Sequence, residues 1–393
     1  MVMPALLAVL AASAPALDRS YPERRAALAA GRDVAPLCSA EPPRTLADAA
    51  LSYRAAVRQA DYPEAALCIR EAQRLATEGQ VSDDAILSDD LDVMTRLLAS
   101  LENRPRTILA ASDEPPDKTD RDCDEERPGS GGVRWAIGLP DEPCFRLLVG
   151  TGATMTILTP DAARTLGARD EREGFAVVPE LPITTLDDPL VLRNVLVSIL
   201  DGPRTENLVA MGYDGVIGLH ALAAGVVYRE GSPLPIPLFV RHGDAPLPDP
   251  REAVRMTITY DAKALWMPLD DTQPDTASCR VNTGASRSVL PTGAITSADR
   301  IEPSGTSVRG IDRQATYDRA KAVTFTLQGQ PIRLAQANLS HDGTCVIGLD
   351  VLYTHLAYLD LRNAALWFRR DVEGATGFEA MADVLLRGQK TSP

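Results

Sequence analysis

Aromatic residues are scarce in this chain, 5% of 393 residues, so Val, Leu, Ile and Ala have to fill its core. Positive charge is also short: 40 Lys and Arg against 54 Asp and Glu leave a formal net charge of −14. Nucleic acid and anionic membrane surfaces attract basic patches, so neither is expected as the main partner. No apolar run approaches the roughly 18 residues that span a bilayer, and no membrane insertion is expected. The chain has no C-x-x-C and no Cys/His cluster at zinc spacing. Its four histidines, His220, His242, His341 and His355, form no H-E-x-x-H, and G-x-S-x-G elbows and nucleotide-binding glycine loops are missing. No metal and no cofactor are expected. What remains is 45% hydrophobic and 24% charged, ordinary for a globular protein, at a length that suggests two or three domains.

The first residues read as an export signal covering 1–17. Met3 to Leu10 is apolar, and Ala12-Ser13-Ala14 or Ala14-Pro15-Ala16 offers a small-residue cleavage site. The basic n-region is missing, and a buried N-terminal helix is the other reading. Six cysteines form an even set and allow fifteen connectivities. Proximity favours one pair per segment: Cys38–Cys68, Cys123–Cys144 and Cys279–Cys345. Six buried thiols in a reducing compartment are the bland alternative. An exported protein, periplasmic or extracellular, is expected.

Composition then divides the chain. Residues 18–110 carry helical patterning. Asp61 and Glu64 make a D-x-x-E capping box, Gly79 is placed to end the helix, and Ala65, Cys68, Ile69, Ala72 and Leu75 form its apolar stripe. The segments Leu46 to Ala60 and Leu91 to Leu101 have similar periodicity. The string YRAAVRQADYPEAALCIREAQRLA resembles one tetratricopeptide-type hairpin, a pattern any antiparallel helix pair with a short turn shares. Residues 111–130 are rich in acids, Pro and Gly and read as a solvated linker. Beyond it lie short β-branched runs such as Ala253–Tyr260, Lys321–Leu327 and Val191–Leu200, read as strands. A C-terminal tail covers 376–393.

The β region contains itself twice. LLVGTGATMTILTP (147–160) is answered by CRVNTGASRSVLP (279–291), and DGVIGLHAL (214–222) by CVIGLDVL (345–352). Gly150 and Asn282 are 132 residues apart, Gly218 and Gly348 are 130 apart, and Trp135 and Trp266 are 131 apart. Three landmarks in one register define two tandem repeats, 131–248 and 249–375.

This repeat resembles the retropepsin-like and pepsin-like aspartic peptidases, whose half-unit carries Asp-Thr-Gly-Ala/Ser followed by a hydrophobic–Gly strand. The resemblance covers about residues 131–372. It implies a mostly β protein: two fused retropepsin-like β-barrel domains, here preceded by a small α-helical hairpin module. It implies further that Thr151 and Thr283 cross-bond the two loops, with Gly152, Ala153, Gly284 and Ala285 shaping the turns. Ile217, Gly218, Ile347 and Gly348 would form the ψ-shaped strands beneath them. Gly305 and Gly310 in PSGTSVRGID would belong to a flap over bound peptide, whereas TTLDDPLVLRNV, the segment matched to it in the first repeat, is a poor flap.

The family's reaction needs two carboxylates sharing one proton, one to activate water and one to protonate the peptide carbonyl oxygen. Here the two Asp positions hold Gly150, with no side chain, and Asn282, whose amide does not titrate near neutral pH. No catalytic residue is intact. Asp350, Asp214 and Asp342, near the second landmarks, read as structural or turn carboxylates, with His220 standing opposite Asp350 in the first repeat. Asp270, Asp271 and Asp275 lack a calcium-loop pattern and read as a solvated loop. Three readings follow: a degenerate peptidase that binds a peptide or protein segment in its cleft, an active endopeptidase using other residues, and an interaction protein acting through its helical module.

Overall fold

The computed structural model describes residues 20–111, 134–137, 145–172, 174–184, 189–223, 239–240, 251, 253–260, 264–270, 278–309, 314–354, 358–361 and 364–369. Four helices, α1 (Tyr21–Ala29), α2 (Leu46–Arg58), α3 (Tyr62–Thr77) and α4 (Ala85–Leu101), lead into strand β1 (Ile108–Ala111). The first repeat supplies β2 (Arg134–Ile137), β3 (Phe145–Val149), β4 (Thr156–Leu158), α5 (Pro160–Thr165), β5 (Arg169–Arg172), β6 (Phe175–Thr184), β7 (Pro189–Ile199), α6 (Gly202–Ala210), β8 (Gly215–Ile217), α7 (Leu219–Ala223) and β9 (Phe239–Val240). The second supplies β10 (Ala253–Thr257), β11 (Thr259–Tyr260), β12 (Leu265–Pro268), β13 (Ser278–Val281), β14 (Val289–Pro291), β15 (Ile295–Ser297), β16 (Arg300–Arg309), β17 (Gln314–Leu327), β18 (Gln330–Ser340), β19 (Val346–Ile347), α8 (Leu349–Thr354), β20 (Tyr358–Asp360) and β21 (Ala365–Arg369). The protein is mostly β, with its helices concentrated at the N-terminal end.

The helices begin and end where side chains satisfy their free backbone groups. Thr45 accepts the Asp48 amide at the start of α2, Asp61 accepts the Glu64 amide at the start of α3, and Asp84 accepts two amides at the start of α4. Gly79, at φ +94°, follows the last turn of α3 in the left-handed region that glycine adopts without strain. The expected stripe of α3 is buried. The expected capping box is only half made, because Glu64 does not reach back to Asp61. Its carboxylate instead accepts the Ser39 amide at 3.1 Å, beside the Cys38–Cys68 disulfide. In the core of the helical zone Asp90 receives Arg54 through two nitrogens and the Tyr21 hydroxyl at 2.5 Å.

The repeat seen in the sequence is a repeat of strand pairing. One sheet runs β2-β3-β8-β4-β7-β6 and a second runs β12-β13-β19-β14-β18-β17. In each, the strand before the T-G-A loop pairs in parallel with the Val-Ile strand, Leu147 with Gly215 and Arg280 with Val346. In each, the strand after the loop pairs antiparallel to that same strand, Ile157 with Val216 and Val289 with Val346. A third sheet, β10-β21-β20-β9, takes β9 from the end of the first repeat and pairs it in parallel with β20 of the second. One apolar cluster, including Leu147, Val197, Ile217, Val281, Leu339 and Ile347, runs through both repeats.

The helical zone docks on this β body. Its core includes Val177 and Leu196, with Met155 and Phe175 packed against it. Arg104 donates to the Asp170 carbonyl at 2.6 Å and to the Phe175 carbonyl at 3.1 Å, and Thr107 donates to the Asn194 carbonyl at 2.8 Å. Arg58 stacks over the Tyr260 ring of the second repeat, 5.1 Å from its centroid. Residues 108–111, assigned from sequence to the end of a helical module and the start of a linker, are strand instead. β7 pairs with β4 only over residues 197–199, and β1 covers the edge left open at 190–193. The linker beyond residue 111 lies outside the described residues.

Two of the three expected cysteine pairs are present. Cys38–Cys68 ties the segment before α2 to α3, and Cys279–Cys345 joins the chain at β13 to the segment entering β19. Cys123 and Cys144 lie outside the described residues. Disulfides persist in oxidising compartments, so the pairs are consistent with an exported protein. Among the described residues no helix is long and apolar enough to cross a membrane.

Candidate functional site

The two T-G-A loops meet back to back. Each hangs from its Val-Ile strand: the Gly150 amide donates to the Ile217 carbonyl and the Asn282 amide to the Ile347 carbonyl, both at 2.9 Å. Each closes a tight turn, Ala153 N–H to Gly150 C=O at 2.9 Å and Ala285 N–H to Asn282 C=O at 3.1 Å. Each is tied to the following helix, Leu219 N–H to Ala153 C=O and Leu349 N–H to Ala285 C=O, both at 2.8 Å. Gly218 and Gly348 sit where the chain passes the backbone at 155 and at 285–287 too closely for a Cβ.

Between the loops, two threonines bond reciprocally. The Thr151 hydroxyl accepts the Thr283 amide at 3.0 Å and donates to the Val281 carbonyl at 2.9 Å. The Thr283 hydroxyl accepts the Thr151 amide at 3.0 Å and donates to the Val149 carbonyl at 2.5 Å. Both threonines are fully buried, so these four bonds satisfy polar groups that water does not reach.

The symmetry breaks at the position before each threonine. Asn282 folds its Oδ1 back to accept the Gly284 amide at 2.9 Å, and its amide group lies over the opposite loop. A Cβ added to Gly152 would sit 2.5 Å from that oxygen. In the first repeat there is no side chain to make the same bond. The space a Cβ on Gly150 would need is held by a methyl of buried Val216. The residue two places before each loop crosses to the opposite glycine: Leu148 packs toward Gly284, and Arg280 donates to the Gly152 carbonyl. Sequence reasoning missed both roles, although the shared offset from the loops marks the two positions.

The remaining acids near the landmarks are committed elsewhere. Asp350 is buried and accepts Ser288 Oγ at 2.6 Å, Ser288 N–H at 2.9 Å and Val351 N–H at 2.9 Å. Burial pushes its carboxyl up to about 6, against the pull of those bonds and of Arg287. Asp214 accepts the Arg146 amide at 2.9 Å. Asp342 is a turn carboxylate held below its usual range by the Ser340 hydroxyl and the Thr344 amide. His220, opposite Asp350 in the repeat, is buried with Nδ1 3.5 Å from the Tyr62 hydroxyl of α3. His341 pairs with Asp318 at the surface, 2.8 Å away. His242, His355, Asp271 and Asp275 fall outside the described residues.

Cys38, Glu64 and Cys68 are the group that comes close enough together to suggest a metal site among the described residues, but the two sulfurs are joined in a disulfide. Gly305 lies in β16, which pairs with β17 along a long antiparallel ladder; Gly310 is outside the described residues. Of the first-repeat segment TTLDDPLVLRNV, Thr184 ends β6 and 189–195 belong to β7; 185–188 lie outside the described residues, and the β6–β7 pair is the counterpart of β17–β18, not the counterpart of β16–β17. By strand order that counterpart is β5–β6, where β5 has only 4 residues.

No protein-family model and no curated protein sequence matches this chain.

Proposed function

We propose that the chain is a retropepsin-like aspartic-peptidase homologue that has lost hydrolysis and holds an extended peptide between its two repeats. The observation that carries the reading is the reciprocal Thr151–Thr283 bonding maintained beside two positions without a carboxyl group. Supporting it, Asn282 keeps the hydrogen bond an Asp there would make to Gly284, while its neutral amide does not titrate near neutral pH and cannot take a proton from an attacking water. The β16–β17 hairpin, 10 and 14 residues long, gives one repeat a flap and an edge for strand addition.

The test is a pair of assays on the full chain. Fluorescent extended decapeptides should bind without being cut between pH 3 and pH 7. The folded triple variant G150D/N282D/V216A, in which both acids are restored and room is made for the first, should gain cleavage with an acidic optimum. Cleavage by the unmodified chain, or a folded triple variant that neither binds nor cuts, sinks the reading.

A further inference from the structure

The two sheets differ in what covers the strand before each T-G-A loop. In the first repeat β3 is buried along its whole length, and its Leu148 packs with Leu200, Leu208, Tyr213 and Val216. That cover comes from residues 200–214, which carry α6 between β7 and β8. In the second repeat only residues 341–345 join β18 to β19, too few to supply such a helix. The outer face of β13 is correspondingly more open. Cys279 and Val281 are buried, while Arg280 between them is half-buried and stands directly opposite Trp266 of β12, which is 36% exposed.

Arg280 holds the place that Leu148 holds in the first repeat, so an apolar side chain there has a guanidinium for its counterpart. Its Nη2 donates to the Gly152 carbonyl, which fixes the planar fork against the opposite loop. Its Nε is buried without a hydrogen-bond partner, and among the described residues no carboxylate pairs with the group. Two donors on Nη1 and one on Nη2 remain for an acceptor. A partly desolvated cation set on one neutral carbonyl gains most from an anion, and a carboxylate meets Nη1 and Nη2 with both of its oxygens. Gly152 and Gly284, on the loops beside it, are themselves only half-buried.

We propose that Arg280 is a specificity-determining residue, binding the carboxylate of one Asp or Glu in a peptide that lies across the T-G-A loops, with Trp266 as an apolar wall beside it. The proposal rests on the peptide-binding reading above and adds the side chain that the peptide carries. One guanidinium takes one carboxylate, and the matched place at Leu148 is apolar and covered. A single acid at a fixed position is therefore selected, and not a run of them.

The test uses fluorescein-labelled, C-terminally amidated decapeptides, identical except for one central Glu or Gln. Anisotropy should show the Glu peptide bound about tenfold tighter, the size of one charge-assisted hydrogen bond, with the advantage shrinking between 50 mM and 300 mM salt. R280Q, or R280M where the glutamine variant does not fold, should erase that preference, and R280K should retain part of it. R193Q, on the first repeat, should leave it unchanged. Equal binding of the two peptides, or a preference that survives R280Q or R280M, overturns the assignment and leaves the cleft standing. If neither peptide binds, nuclear magnetic resonance of isotope-labelled protein decides. A shift of the Arg280 Nη resonances by N-acetylglutamate α-amide, and not by N-acetylglutamine amide, supports the role of Arg280 and overturns the cleft. No shift with either probe overturns both.

Discussion

Val216 lays a methyl group where a side chain on Gly150 would begin. The first repeat therefore leaves no room for a side chain at the position where, on the function proposed above, an acid would stand. Val216 belongs to a small apolar cluster with Leu148, Leu200, Leu208 and Tyr213, and its displacement is felt there.

Gly150→Ala should accordingly destabilise the protein by about 1–3 kcal/mol, the usual cost of overpacking, as measured by chemical denaturation. Adding V216A to G150A should recover a substantial part of that loss, because the clash is with that one methyl. Additive losses in the double variant would show that the obstruction lies elsewhere. Asn282→Asp, which exchanges a nitrogen for an oxygen in a site with room for it, should change stability far less than G150A.

The threonine pair predicts a matched response. Thr151→Val leaves the Val281 carbonyl and the Thr283 amide buried without partners, and Thr283→Val does the same to the Val149 carbonyl and the Thr151 amide. At about 1–3 kcal/mol for each orphaned group, either variant should lose about 2–6 kcal/mol in denaturation. Thr→Ser at the same positions should lose much less. A large difference between the two valine variants would contradict the reciprocal arrangement.

Asp350 makes stability depend on pH. Its folded carboxyl titrates near 6 against an ordinary 3.8, so between about pH 4 and pH 6 the folded protein retains a proton that the unfolded chain has released. Stability from this group is complete below pH 4 and declines as pH rises to 6, by up to about 3 kcal/mol at 1.36 kcal/mol per pKa unit. In Asp350→Asn this portion of the slope should vanish, whatever the variant's absolute stability. Denaturation midpoints collected every half unit from pH 4 to 7 decide it.

Asp90 anchors the helical zone. Burial works against its charge, but the hydrogen bonds of Arg54 and Tyr21 win and hold its carboxyl below the usual range. Asp90→Ala leaves the Arg54 guanidinium buried without that partner and should cost about 3–5 kcal/mol. The helices dock on β6 and β7 through the cluster holding Val177 and Leu196. Their loosening should therefore raise amide exchange at 190–193, where β1 covers β7, before it reaches the loops at 150 and 282. Uniform exchange across both repeats would mean that the helices are not a separable brace.

Some of this was legible residue by residue. Asp61, Gly79 and the apolar stripe between them specify α3, because cap and stripe act within one helix and need no distant partner. Glu64 departs from the capping box because a tertiary neighbour, the Ser39 amide, competes for its carboxylate. β1 carries no alternation that separates it from the helical zone, and its strand state comes from the open edge of β7. The β6–β7 hairpin was matched to the wrong partner for a comparable reason. The two repeats differ in hairpin length, and only pairing order shows which strands correspond.

The amino-acid sequence alone determined that a β unit is written twice, that both copies keep T-G-A and Val-Ile-Gly, and that neither has an acid before its threonine. Those are facts of residue identity and spacing, and no folding alters them. Packing decided the rest: the methyl of Val216 in the space beside Gly150, the cross-bonded threonines 132 positions apart, and the helices bound to both repeats. Each of these joins groups far apart along the chain, and such meetings depend on the shape of the whole core rather than on any local pattern.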